Sequence, residues 1–97
     1  MPNMDVRHEE SANGGRYVAK VEGVAEEAEL IYGRRPDGTI SADHTYAHGA
    51  TQGTGAARKL VDALIADARR DGIKVHPTCS YVARLFDKNP DWADLRA

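Results

Sequence analysis

Gln52-Gly53-Thr54-Gly55-Ala56-Ala57 separates a stretch patterned like a strand from one patterned like a helix. Behind it, Ala57, Leu60, Val61, Leu64, Ile65 and Ala68 recur at helical spacing, and Gly72, after Arg69-Arg70-Asp71, fits a C-terminal cap. Ahead of it, residues 39–47 read as a strand. A helix start leaves backbone N–H groups unpaired and carries partial positive charge. Glycine lets that backbone come close to an anion with no Cβ in the way. The run from Gly53 to Ala57 is therefore suited to a diphosphate, although the same glycines would also serve a plain tight turn. Arg58 and Lys59 fall in the first helical turn, where positive charge is unfavourable to a bare helix and makes better sense beside an anion.

Two familiar phosphate loops do not fit. A Walker loop needs a Gly-Lys step that is missing here. The dinucleotide fingerprint would need glycine at 58, where Arg58 stands, and a βαβ unit opening the sheet.

Working outward, residues 1–4 read as a loose leader and 6–10 as a short strand. Asn13-Gly14-Gly15 is a turn signal, and 16–21 alternates as the second arm of a hairpin. Glu22-Gly23 breaks the chain. Residues 27–32 form a third strand, with Ala28, Leu30 and Tyr32 on one face, and a helix over 24–32 is the competing assignment. Asp37-Gly38 turns into the fourth strand. After the helix at 56–71, Ile73-Lys74-Val75-His76 is a fifth strand stopped by Pro77. A second helix runs from about Ser80 to Lys88, burying Val82, Leu85 and Phe86, and ends at Asn89-Pro90. The order β-β-β-β-α-β-α predicts an α/β (α+β) fold with a mixed five-stranded sheet and helices packed on it. The strand–helix–strand unit at its centre makes strands four and five parallel, with a right-handed connection.

With 97 residues, the chain reads as one small domain, 1–97. A net charge of −2 and a pI near 6.0 argue against a nucleic-acid grip. Residues 1–50 carry five Lys/Arg against nine Asp/Glu, and 51–97 carry eight against six, so the second half is the better host for an anion. Cys79 stands alone, which excludes an internal disulfide and fits a reducing cytosol. No apolar run approaches the ~20 residues of a membrane span, and the N-terminus lacks the pattern of a signal peptide. A soluble cytoplasmic protein is expected, and the oligomeric state stays open. His44 and His48 have a spacing that suits a metal on a helix, but they fall on a strand and the loop after it, so no metal site is expected.

Four blocks in order then identify a resemblance: His44-Thr45, the loop Gln52 to Ala57, Pro77-Thr78-Cys79-Ser80-Tyr81-Val82-Ala83, and Asn89-Pro90-Asp91-Trp92. Together, over about residues 27–92, they resemble the short single-domain GNAT-like N-acetyltransferases of the GNAT superfamily. In these the Gln/Arg-x-x-Gly-x-Gly/Ala loop joins the fourth strand to a helix. The chain departs from the pattern at Ala47-His48, where Val-Pro is common, at Thr51 for a frequent Leu, at Ala56 for Ile or Leu, and at His76 for an aliphatic residue.

The resemblance implies acetyl-CoA as cofactor and an amine, small molecule or protein, as acceptor. It implies that backbone groups near Tyr46 and Ala47 pair with the pantetheine arm where strands four and five splay. The amides of Gln52, Gly53, Thr54, Gly55, Ala56 and Ala57 would hold the pyrophosphate. Cys79 lies between a strand and a helix N-terminus, a setting that lowers a thiol pKa. It suits an acid for the departing CoA thiolate or a nucleophile, and otherwise a small buried hydrophobe. His44 is a candidate base or partner of Cys79, and otherwise a sheet histidine. His8 and His76 have no evident partner and read as structural or exposed. Glu26, Glu27 and Glu29 read as a solvated strand face, with attraction of a cationic amine as the weaker alternative. A non-catalytic acyl-CoA-binding module is the alternative to an enzyme.

Overall fold

Alternating apolar and polar residues lay down four antiparallel strands in the first half of the chain. They are β1 (Met4–Ser11), β2 (Gly14–Val21), β3 (Glu27–Arg34) and β4 (Ile40–Ala47). The computed structural model describes residues 3–97. A 3-10 turn (Gly49–Thr51) leads into α1 (Ala56–Asp71), followed by β5 (Val75–His76), α2 (Ser80–Lys88) and a last 3-10 segment (Pro90–Leu95). The strands lie side by side in chain order, with β5 parallel to β4. This is the predicted mixed five-stranded sheet.

One face of the sheet carries the core. Tyr17, Ala19 and Val21 of β2 and Ala28, Leu30 and Tyr32 of β3 are buried there. They join the buried stripe of α1: Ala56, Leu60, Val61, Leu64, Ile65 and Ala68. Each fully buried Leu or Val contributes about 1.5–3 kcal/mol. The burial of β3 alternates from Glu27 to Gly33. That period of two decides against the helix that its Ala and Glu content allows. α2 and the last 3-10 segment close one end, with Phe86 and Trp92 edge to face at 5.5 Å.

Among the described residues, no helix lies on the outer face. Val18 is nevertheless 1% exposed. Its cross-strand neighbours are Arg7 and Glu29. Ion pairs Arg7–Glu27, Arg16–Glu9 and Arg16–Glu29 tie this surface across the strands. Glu27 and Glu29 thus belong to a charged ladder whose aliphatic stems cover apolar surface.

Several expectations are corrected. Of the expected leader, Met1 and Pro2 lie outside the described residues. Met4 already belongs to β1, and Asn3 accepts the Glu22 N–H at 2.8 Å. The fifth strand is shorter than residues 73–76, because the Ile73 N–H is spent on the Ala68 carbonyl (2.9 Å), a capping bond behind left-handed Gly72. His8 does have partners. It stacks on Tyr17 at 4.2 Å, and its Nε2 meets the Tyr32 hydroxyl. Tyr17 in turn donates to Asp67 of α1 at 2.7 Å, which ties sheet to helix.

Candidate acyl-transfer site

The site begins where β4 and β5 part. The two strands share only Ile40–Val75 and Ser41–His76. The Cys79 N–H then donates to the Ala42 carbonyl at 2.8 Å, and the Thr78 hydroxyl lies 2.9 Å from that carbonyl and 2.8 Å from the Asp43 carboxylate. From there the chain turns into α2. Beyond Asp43, β4 has no strand partner on that side among the described residues. The result is a wedge that opens along Tyr46 and Ala47 toward the glycine loop. The Ala47 carbonyl accepts from Gln52 Nε2 at 3.2 Å, so the side chain of Gln52 folds back on the strand end.

The loop is built from its own bonds. Thr51 is buried, and its hydroxyl donates to the His48 carbonyl at 2.7 Å, while Thr54 repeats the bond to the Thr51 carbonyl at 2.6 Å. A hydroxyl in place of the frequent Leu therefore serves as a staple. Gly53 and Gly55 have φ of +79° and +87°, and Gly55 is the N-cap of α1. The first helical bond runs from Lys59 N–H to the Gly55 carbonyl. Among the described residues, the amides of Gly53, Gly55, Ala57 and Arg58 have no protein acceptor. Free amides around a left-handed glycine at a helix start suit a diphosphate. Beside them lies a cleft of about 400 Å³ lined by Asn3, Met4, Thr54, Gly55, Arg58, Lys59 and Asp62. Arg58 is less free than its position suggests, since it pairs with Asp62 at 3.0 Å and stands over the Trp92 ring at 5.4 Å. Lys59 is exposed and has no ion pair among the described residues.

Cys79 is the N-cap of α2 and partly buried. Its Sγ lies 3.6 Å from Thr45 Oγ1. Burial pushes the thiol up, but the Val82 amide, the Thr45 hydroxyl and the Tyr81 amide together outweigh it. The net result is a pKa below that of a free thiol. Between the folded and unfolded pKa values the unfolded chain holds the extra proton. Folding is therefore stabilised as pH rises through the folded value, and that contribution is lost as pH falls through it. Alkylation of the native protein should show its midpoint at lower pH than the unfolded protein. Thr45→Val should move that midpoint up, and identical profiles for the two proteins would exclude the Thr45 contribution.

His44 does not join Cys79. The register shifts between Ile31 and Tyr32, so that Tyr32 faces Ala42, Ile31 faces His44, and Asp43 bulges out between them. Thr45, opposite Leu30, then shares the core face with Cys79, while His44, opposite Ile31, stands on the outer face. It stacks there on Tyr46 at 5.7 Å, and Tyr46 stacks on His48 at 5.6 Å. Tyr46 is exposed. His48 Nε2 is 3.5 Å from Glu29 Oε1. An open concavity of about 620 Å³, lined by Glu9, Arg16, Glu29 and Ile31 among others, occupies the same outer face toward the first hairpin. The three imidazole and phenol rings and this hollow lie on the side opposite the thiol.

Sequence reading missed the pairing of Thr45 with the thiol, because a bulge cannot be seen in an alternation pattern. It also passed over Tyr81, in the first turn of α2, whose phenol is pushed up by burial and stays protonated at neutral pH. Among the described residues there is no His/Cys/Asp/Glu cluster able to hold a metal, and no helix long and apolar enough to cross a membrane.

Residues 16–95 match the GCN5-related N-acetyl-transferase family. The chain is also similar to Protein NATD1 of Xenopus tropicalis, with 26% identity over 89 residues, covering 92% of this chain and 82% of that protein. A parted strand pair, an amide-lined loop before α1 and a match over most of the length agree: the chain belongs to the GCN5-related N-acetyltransferase family.

Proposed function

We propose that this protein is an acetyl-CoA-dependent N-acetyltransferase acting on a primary amine. The observation that carries the reading is the wedge between β4 and β5 running into a loop with four amides that have no acceptor among the described residues. The amides of Gly53, Gly55, Ala57 and Arg58 would bind the pyrophosphate, with Lys59 adding charge. The free edge of β4 at Tyr46 and Ala47 would align the pantetheine arm as an added strand does. The bound cofactor supplies an acyl group on a thioester.

The two catalytic candidates flank the wedge from opposite faces. His44, on the open side, is placed to take the proton that an ammonium acceptor must lose. Cys79, on the core side, is placed to protonate the departing sulfur. With an acyl thioester and an amine bound, His44 would accept the proton the amine loses and Cys79 would give its proton to the sulfur that leaves as the acyl carbon passes to nitrogen. This arrangement favours direct transfer, because acid and base act on different groups and need not touch.

The bare outer face favours a second reading, a module that binds acyl-CoA without turnover, since among the described residues no element covers an acceptor there. Calorimetric titration with acetyl-CoA and with CoA, followed by CoA release across a panel of amines, separates the two. Saturable binding of both ligands with amine-dependent release is expected. Binding without release supports the module, and no binding at millimolar ligand removes the cofactor assignment.

A further inference from the structure

The glycine loop does not stand on its own bonds alone. Glu26 sits in the turn before β3, and its carboxylate crosses to the segment that follows β4, where Oε1 accepts the Ala50 N–H at 2.9 Å. The same carboxylate lies against the Cα of Gly49. A Cβ on Gly49 would fall 2.6 Å from Oε1 and 2.8 Å from Cγ and Cδ of Glu26. Gly49 also has φ +52°, so the 3-10 turn Gly49–Thr51 is shaped around this side chain. Glu26 is thus no part of the charged ladder formed by Glu27 and Glu29.

What hangs from this turn gives the contact its meaning. The His48 carbonyl holds Thr51 through both its N–H and its hydroxyl, and Thr51 holds Thr54 through both of its groups. Thr54 Oγ1 accepts the Ala56 N–H at 3.3 Å, at the first residue of α1. Glu26 therefore fixes the Ala50 amide, the next residue, Thr51, is bonded back to His48, and Thr51 and Thr54 carry that order on to the Ala56 amide beside Gly55. We infer that Glu26 is a positioning residue for the cofactor loop, a latch from the β2–β3 turn that presets Gly53 to Ala57 before the diphosphate arrives. The inference rests on the proposed role of that loop. A carboxylate this close to an anion site adds repulsion, so its use here requires that the loop order it provides outweigh the charge.

Two variants separate these effects. Glu26→Ala removes the acceptor, and Glu26→Gln keeps an oxygen acceptor without the charge. In the free protein, exchange of the Ala50 amide should accelerate about tenfold in Glu26→Ala, the scale of one charge-assisted hydrogen bond, and return toward the parent rate in Glu26→Gln. The KM for acetyl-CoA should rise by a similar factor in Glu26→Ala while kcat stays within about twofold, and Glu26→Gln should restore it. Unchanged Ala50 exchange in Glu26→Ala overturns the latch. Faster exchange with an unchanged KM overturns its role in cofactor binding. Faster exchange in a protein whose parent form binds no acetyl-CoA retires the cofactor assignment and leaves the latch standing.

Discussion

Cys79→Ala should lower kcat by about 10²–10⁴, the range that a positioned proton donor or nucleophile supplies, and leave the affinity for CoA nearly unchanged. Affinity is spared because the contacts expected to bind the cofactor lie on β4 and the loop, away from the sulfur. The variant should also fold: Cys79 is partly buried, its backbone N–H still reaches the Ala42 carbonyl, and the side chain that meets its sulfur, Thr45, is itself only partly buried. Steady-state CoA release and calorimetry on the same preparation make the split measurable. The pH profile adds a second readout. The thiol titrates below a free cysteine, so activity that needs the protonated thiol should fall on the alkaline side earlier than a free thiol would predict. That limb should vanish in Cys79→Ala. If the thiol acts instead as a nucleophile, activity rises through the same pKa, and the sign of the limb distinguishes the two roles. Equal turnover in both proteins would return Cys79 to a packing residue and shift attention to the protonated phenol of Tyr81.

The parts legible in the sequence were those written in local chemistry. The strand pattern over residues 27–32 with Ala28, Leu30 and Tyr32 on one face, helical spacing from Ala57 to Ala68 and a glycine before α1 each follow from a few neighbouring residues. Together they were enough to assign the sheet and the crossover. What was not legible depended on a single inserted residue. Asp43 bulges from β4 and shifts every later side chain by one place relative to β3. Without the bulge, simple alternation places Ala42, His44 and Tyr46 on one face. With it, Thr45 takes the core face and His44 goes outside. The expected approach of His44 to Cys79 failed for that reason. Glu26 escaped for a different one: three acidic residues within four positions look alike in sequence, and only the turn before β3 sends one of them across to Ala50.

Gly55→Val should abolish measurable acetyl-CoA binding, with an affinity loss beyond about thirtyfold, while the protein still folds. Gly55 is held at φ +87° as the N-cap of α1. An L-residue in that region costs about 1–2 kcal/mol, more when β-branched, which for a domain this size is a fall in Tm of roughly 5–15 °C. The fold should survive because a Cβ there meets nothing closer than Met4 Cε at 4.0 Å. Binding should not survive, because the new side chain stands among the amides of Gly53, Ala57 and Arg58, which have no acceptor among the described residues. The control lies at the other end of the same helix. Gly72, the C-cap, has φ +68°, and a Cβ added to it would meet no heavy atom within 4 Å, so Gly72→Val imposes similar strain with no clash. It lies about 26 Å along the axis from Gly55, by the rise per residue. If Gly72→Val loses comparable thermal stability but binds acetyl-CoA like the parent, the effect at Gly55 belongs to the anion site. If both variants bind equally well, the amides ahead of α1 are not what holds the cofactor.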